Sequence, residues 1–390
     1  MVCRGARRSA RFPLGASVTL EALAADLHGV TARLRASEPV SCLPALGGWV
    51  VTSYSLVVEA MRDAQAFTVD DPRFSTGRVL GPSMLSLDGE EHARHREPFA
   101  LPLRAAAVRA ELEAGVRVAA DELVEKLARR GRRAELRAEL AGPLAARVMT
   151  DLLSLDGVKT DELLGWYAEI VAEVTRLSSG GADGVRVAAV DGLADAVRRS
   201  IRGSSFLGAA AGALDEPELV ANVGVMLFGG LETSEAATAN AFAHLLRAPS
   251  AWARCTADRA LLANAVDESL RLEPAAAQLD RYATRDLELG GVEIGAGDFV
   301  VLSLAAANRD PEVFAAPDVF DPVRANTRKH LAFAQGPHAC LGVHLARLET
   351  LAALEAVRDR LPGIRLDPDA PAPVAEGVVF RKPPAVNVVW

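Results

Sequence analysis

Apolar positions recur at helical spacing along most of the chain, and helical patterns dominate from residue 90 to residue 271. One segment stands apart. It begins near Asp215-Glu216-Pro217, with Asp as a cap and Pro in the first turn, and continues to about Arg247 before Pro249. About thirty residues at 1.5 Å each give roughly 45 Å, enough to cross a domain. Its middle is apolar on nearly every side, which predicts a buried central helix. Leu341, Leu345, Leu348 and Ala352 share one apolar face and predict a second helix, closed by Pro362. Trp49-Val50-Val51-Thr52 reads as a short strand, and residues 70–87, dense in Gly, Pro and Ser, read as a long loop. Beyond Arg271 the segments shorten, and residues 281–289, 298–304 and 377–390 carry strand-like composition. The fold class expected is mainly α with a minor β part.

Composition adjusts this picture in a few places. The chain has 390 residues, 50% of them hydrophobic and 24% charged, enough for a large buried core. Length alone would allow two or three domains, yet no linker divides them: the Gly/Ser-rich residues 178–184 lie between two helical patterns and read as a loop. A single domain over residues 1–390 is expected, with residues 1–15 as a disordered tail. A net charge of -8 provides no overall basic field for nucleic acid. Four dispersed cysteines argue against a disulfide framework and fit a reducing, cytoplasmic compartment. The basic N-terminus is followed by no long apolar segment, and the longest apolar stretch, residues 220–231, is interrupted by Asn222. It is too short to span a bilayer, so a soluble protein with no membrane partner is expected.

Cys340 is the cysteine whose surroundings suit a thiolate, in Phe333-Ala334-Gln335-Gly336-Pro337-His338-Ala339-Cys340-Leu341-Gly342. The Gly- and Pro-rich loop lets backbone N–H groups turn toward sulfur, and the helix that follows favours negative charge at its start. Three readings compete: a haem ligand, a small buried hydrophobe, and a zinc ligand with His338, His344, His92 and His95. Gly229-Gly230-Leu231-Glu232-Thr233-Ser234 lies inside the long helix, where each glycine costs about 1 kcal/mol relative to Ala. Close helix packing would explain the glycines. It would not explain an acid and an alcohol in an apolar helix, although Thr233 can bond a carbonyl one turn back. Glu268 and Arg271 are three apart on one helix face, and His92 and Arg96 are four apart on another. Both pairs are weak signals by themselves. Gly-x-Ser-x-Gly, Gly-Lys phosphate-loop, His-Glu-x-x-His and dinucleotide fingerprints are absent.

Together these segments resemble the cytochrome P450 family, whose ligand loop reads Phe-Gly-x-Gly-x-His-x-Cys-x-Gly, and the resemblance covers nearly all the chain beyond its first fifteen residues. It implies a triangular prism with a long central helix over haem b, and Cys340 as the axial ligand of the haem iron. Ala334 stands where the family usually has Gly, so a methyl group must fit in the turn and a negative φ is expected. Phe333, Gly336 and Gly342 match the loop, and Gly229 and Gly230 match the oxygen-activation segment. There Thr233 would steady dioxygen and a water while Glu232 relays protons. Glu268, Arg271 and Arg324 match a buried structural trio. His92, Arg96, Arg281 and His338 match contacts to the haem propionates, and Gly89 replaces a Pro beside the first of them.

The resemblance further implies a monooxygenase fed by a separate ferredoxin and ferredoxin reductase, because the chain carries no nucleotide site or appended electron-transfer domain. Arg94, Arg104, Arg328, Lys329 and Arg347 are expected at the ferredoxin docking face. Residues 76–87, the helices around residues 166–184, residues 275–278 and the turn at Val378 and Val379 would line the pocket. They suit a mostly apolar small organic molecule, hydroxylated or epoxidised by a monomeric enzyme, with a role in secondary metabolism in view. A peroxide-driven peroxygenase or coupling enzyme of the same fold and a haem sensor are the alternatives.

Overall fold

The computed structural model describes residues 11–155, 157–178, 187–202 and 205–390. Its longer helices in chain order are α1 (Leu27–Ser37), α2 (Tyr54–Arg62), α3 (Gly89–Ala100), α4 (Glu113–Arg130), α5 (Gly142–Leu153) and α6 (Thr160–Ser178). They continue with α7 (Ala188–Ser200), α8 (Glu216–Leu246), α9 (Pro249–Ala257), α10 (Arg259–Leu272) and α11 (Val343–Arg360). Side-chain caps set several starts. The Asp26 carboxylate accepts from Gly29 N at 2.8 Å ahead of α1, and Asp258 accepts from Ala260 N at 2.8 Å ahead of α10. The long helix α8 opens on a reciprocal box: Asp215 accepts from Glu218 N at 2.9 Å, and Glu218 accepts from Asp215 N at 3.0 Å. It runs for 31 residues, as its apolar pattern predicts.

The chain distributes over two compact units, each assembled from separated stretches, so no linker marks a boundary along the sequence. One, the sheet unit, holds the described residues up to Val69, then Ala239–Cys340 and Pro368–Val386. The other, the helical unit, holds Asp70–Thr238, Leu341–Asp367 and Asn387–Trp390. Helix α8 changes unit at Thr238.

In the sheet unit, β1 (Val40–Leu43), β2 (Gly48–Val51), β3 (Phe67–Thr68), β5 (Gln278–Ala283) and β8 (Phe299–Ser303) form one sheet in the order β1-β2-β8-β5-β3. Strands β2 and β8 are parallel, with Trp49 opposite Val300, and the other pairs are antiparallel. Trp49 is 1% exposed and still satisfied, because its indole N–H donates to Asp298 at 2.7 Å. Strands β6 (Leu287–Leu289) and β7 (Val292–Ile294) make a separate hairpin. In the helical unit α11 packs along α4, and β4 (Arg133–Glu135), β10 (Asn387–Val389) and β9 (Arg365–Leu366) form a small sheet. Gly192 on α7 leaves room for Trp166 on α6, since an added Cβ would lie 2.8 Å from the indole nitrogen.

Three expectations change, and a fourth falls outside the described residues. Phe12 is buried edge-on against Trp49 at 5.4 Å and residues 13–17 are helical, so the expected tail 1–15 is too long, while residues 1–10 lie outside the described residues. Residues 70–87 contain a helix, Ser75–Leu80, whose Leu80 packs on α8 at Gly224. The long apolar partner surface folds this short segment despite its turn-rich composition. The expected loop 178–184 falls almost wholly outside the described residues, and α6 ends at Ser178. Cys42 is disulfide-bonded, against the reading of the four cysteines as unpaired. Among the described residues no helix is long and apolar enough to cross a membrane.

Candidate functional site

The Cys340 loop, in the sheet unit, is shaped by its backbone. Ala334 N donates to Leu331 O at 2.8 Å, Ala339 N to Gly336 O at 3.1 Å, and Cys340 N to Phe333 O at 2.8 Å. Gly336 takes φ +76° and lies against α2, where an added Cβ would stand 2.5 Å from Met61 O. Arg62 at the end of α2 donates to Gln335 Oε1 at 2.7 Å. Ala334 has φ +56°, which corrects the expected negative value: the turn requires the left-handed conformation, and a methyl-bearing residue adopts it at a cost of about 1–2 kcal/mol. The loop leaves Cys340 exposed, whereas Cys255 is buried and its thiol is pushed up to about 11 by burial. Of the two, Cys340 is placed for reactivity. Gly342 caps α11 with φ -82°.

Arg281 on β5 is 4% exposed and donates to Asp280 O at 2.7 Å, while His338 is half-buried on the loop. Burial pushes the neighbouring Asp280 carboxyl up to about 6, with Arg281 opposing. His92, 5% exposed, and Arg96 sit one turn apart on α3 in the helical unit, on one face. The predicted propionate donors therefore divide, two to each unit. Gly89, where the family has Pro, takes φ +64°, which a Pro could not adopt.

The glycine pair of α8 serves two different purposes. At Gly230 an added Cβ would run into Met149 Sδ of α5, so this glycine allows close helix packing. At Gly229 an added Cβ meets nothing within 4 Å, although Leu227 and Leu231 beside it are buried. Glu232 and Thr233 follow three and four residues later, on the side of the helix that Gly229 leaves open. Thr233 Oγ1 donates to Gly229 O at 2.5 Å, the bond one turn back that its position predicts. Glu232 is half-buried and accepts from the Tyr167 hydroxyl of α6 at 2.5 Å.

The trio of Glu268, Arg271 and Arg324 comes together in the sheet unit. Arg271 grips Glu268 with Nε at 2.7 Å and Nη2 at 2.8 Å, and both side chains are fully buried. Arg324 Nε adds bonds of 3.0 and 3.1 Å to the two carboxylate oxygens. Further guanidinium hydrogens go to the carbonyls of Asn308, Ala315, Ala316, Pro317 and Val319. The buried charges are paired and hydrogen-bonded, as low dielectric demands. Two of the four lining candidates, residues 275–278 and the turn at Val378 and Val379, meet within this unit, where Ala277 N donates to Val379 O at 2.8 Å.

Three features escaped the sequence reading. Asn222, the interruption in the apolar run, bonds His95 Nδ1 at 2.9 Å and accepts from Met84 N at 2.9 Å, tying α8 to α3 and to the 76–87 segment. Arg94 clamps Glu91 at 2.7 Å and Glu218 at 2.5 Å and holds the Glu218 carboxyl down to about 2. Glu349 on α11 is 3% exposed, and burial pushes its carboxyl up to about 8, with a Ser234 hydrogen bond opposing. Its signal in the sequence is an acid among Leu345, Leu348 and Ala352 on the apolar face. Among the described residues, the group of metal-ligating side chains close enough to share an ion is Glu91, His95 and Glu218, which Arg94 already occupies. Among the described residues Cys340 joins no such group.

The cytochrome P450 family profile matches residues 205–358. The chain is 32% identical to the nocardicin C N-oxygenase of Nocardia uniformis subsp. tsuyamanensis, over 97% of this chain and 98% of that protein. It is 35% identical to the mycinamicin IV hydroxylase/epoxidase of Micromonospora griseorubida, over 94% and 97% of the two chains. Among solved structures, that of CalO2 superposes with a TM-score of 0.84 at 28% identity, covering 94% of this chain and 96% of that one. The chain belongs to the cytochrome P450 family. It is a P450 monooxygenase, and its cofactor is haem b. The residues present fit that group: the open face at Gly229 is what a flat ligand needs, and Cys340 is an accessible sulfur outside any disulfide.

Proposed function

We propose that this enzyme takes two electrons per turnover from a separate ferredoxin and ferredoxin reductase and inserts one oxygen atom into a mostly apolar small organic molecule. Hydroxylation or epoxidation in secondary metabolism is the reaction, by a cytoplasmic monomer. Relatives named as a hydroxylase/epoxidase and an N-oxygenase, over nearly the whole chain, support oxygen insertion. Bound haem supplies the redox chemistry at its iron. Cys340 is the thiolate ligand, held by a loop that Phe333, Gly336 and Gly342 shape. A thiolate pushes electron density that favours O–O cleavage. His92, Arg96, Arg281 and His338 hold the propionates, since four donors for two carboxylates offset the cost of placing them near buried iron.

Thr233 and Glu232 move protons at the open face of α8: Thr233 orients dioxygen and a water through its hydroxyl, and Glu232 carries protons in from solvent. The observation that carries this reading is the coincidence of the open space at Gly229 with an acid and an alcohol three and four residues on. Arg94, Arg104, Arg328, Lys329 and Arg347 dock the ferredoxin; Arg328 is largely exposed, as docking requires. Thr233→Ala is expected to keep the carbon monoxide spectrum of the reduced protein and to divert reducing equivalents to peroxide. An unchanged yield of peroxide per NADPH would remove Thr233 from proton delivery. Compounds that shift the haem spin state in a ligand screen then define the substrate class.

A further inference from the structure

Leu163, Ile170 and Val174 form the buried face of α6, and Tyr167 lies on that face, four residues after Leu163 and three before Ile170. Its hydroxyl donates to Glu232 Oε2 at 2.5 Å. Burial, then the charges of Glu232 and Glu235, holds the phenol far above its usual ionisation range, so it stays a donor. Glu235 pairs in turn with Arg137 at 2.8 Å. The acid and the alcohol of α8 are thus held by different means. Thr233 bonds a carbonyl of its own helix, whereas Glu232 is held by a side chain from another helix. The phenol places the carboxylate by a hydrogen bond from a different helix.

We propose that Tyr167 is a positioning residue for proton delivery: its hydroxyl holds Glu232 in place beside Thr233, so that α6 sets where the acid stands. The proposal rests on the reading of Glu232 as a proton carrier. Dioxygen that receives two electrons and two protons leaves as peroxide, and with four of each it becomes two waters. The ratio of water to peroxide therefore reports proton delivery. It is measured on haem-loaded protein without added organic substrate, with NADPH, a plant-type ferredoxin and its reductase supplying electrons.

Tyr167→Phe is expected to lower the ratio about threefold or more, with the carbon monoxide spectrum and thermal midpoint unchanged. Glu232→Gln lowers it as well, and the double variant falls no further than Glu232→Gln alone. A Tyr167→Phe effect that persists undiminished in the Glu232→Gln background overturns the proposal and leaves the role of Glu232 standing. A ratio unmoved by Glu232→Gln overturns that role first, and the proposal with it. A readout independent of turnover uses ring-labelled tyrosine NMR of the reduced carbon monoxide form. The chain has three tyrosines, and Tyr167→Phe assigns the resonance. In Glu232→Gln the Tyr167 ring-carbon resonance beside the hydroxyl is expected to move from its position in the parent; an unmoved resonance means that the hydrogen bond does not exist in solution.

Discussion

The loop from Leu331 to Cys340 and the helical segment from Gly229 to Ser234 carry the two halves of the proposed chemistry, and they are built in opposite ways. The loop gets its shape from the backbone: two residues with positive φ, three short-range amide bonds and a glycine pressed on Met61 O. Side chains in it are mostly small, and one, Cys340, does the chemistry proposed. The helical segment keeps a regular backbone and concentrates its specialisation in side chains, with Thr233 turned back on Gly229 O, Glu232 held by Tyr167, and Ser234 bonded to Glu349. A backbone-built site depends on φ and close approach. A side-chain-built site depends on partners from other helices, and on their protonation.

The largest effect separates the helical segment by its dependence on pH. Glu349 keeps its proton in the folded protein up to about pH 8, whereas the unfolded chain loses it above the ordinary 4.5. The folded state then binds more protons between those values, so this residue makes stability fall as pH rises from 4.5 toward 8. Glu349→Gln is expected to stabilise by about 1 kcal/mol at most at pH 5 and by about 4 kcal/mol at pH 8, read as thermal midpoints at the two pH values. A smaller effect breaks the loop at Gly336. Gly336→Ala adds a left-handed alanine and drives a methyl group into Met61 O, and a loss of about 3 kcal/mol in denaturant unfolding is expected. The smallest effect belongs to the loop again. Ala334→Gly relieves the left-handed methyl but loosens the unfolded chain, for a net gain of about 0.5–1 kcal/mol that is independent of pH.

The same contrast explains what could be read in the sequence. Cys340, Glu232 and Thr233 stood out because each is a chemically costly residue type in a setting that does not otherwise need it, whereas Glu268 and Arg271 were picked out only through the family's motif. Helix α8 was legible because its apolar pattern and its Asp215 box are both local. The conformation of Ala334 was not, since φ follows from how the turn closes on α2 rather than from the residue itself. Gly229 and Gly230 look identical in the sequence, and only Met149, eighty residues earlier, tells them apart. Tyr167, Asn222 and Glu349 were missed for a related reason: their partners lie on other helices, and a lone Tyr, Asn or Glu in a helical pattern carries no mark of its contact. The clamp of Arg94 on Glu91 and Glu218 was not legible, because Glu218 lies on another helix and cannot be assigned without the fold.

Cys340 as the thiolate ligand is the claim on which the rest depends, and one spectrum tests it. Reduced, haem-loaded protein under carbon monoxide is expected to show the strongly red-shifted Soret band of thiolate ligation. Cys340→Ala is expected to abolish that band while Cys255→Ala preserves it. Survival of the band in Cys340→Ala would contradict the assignment.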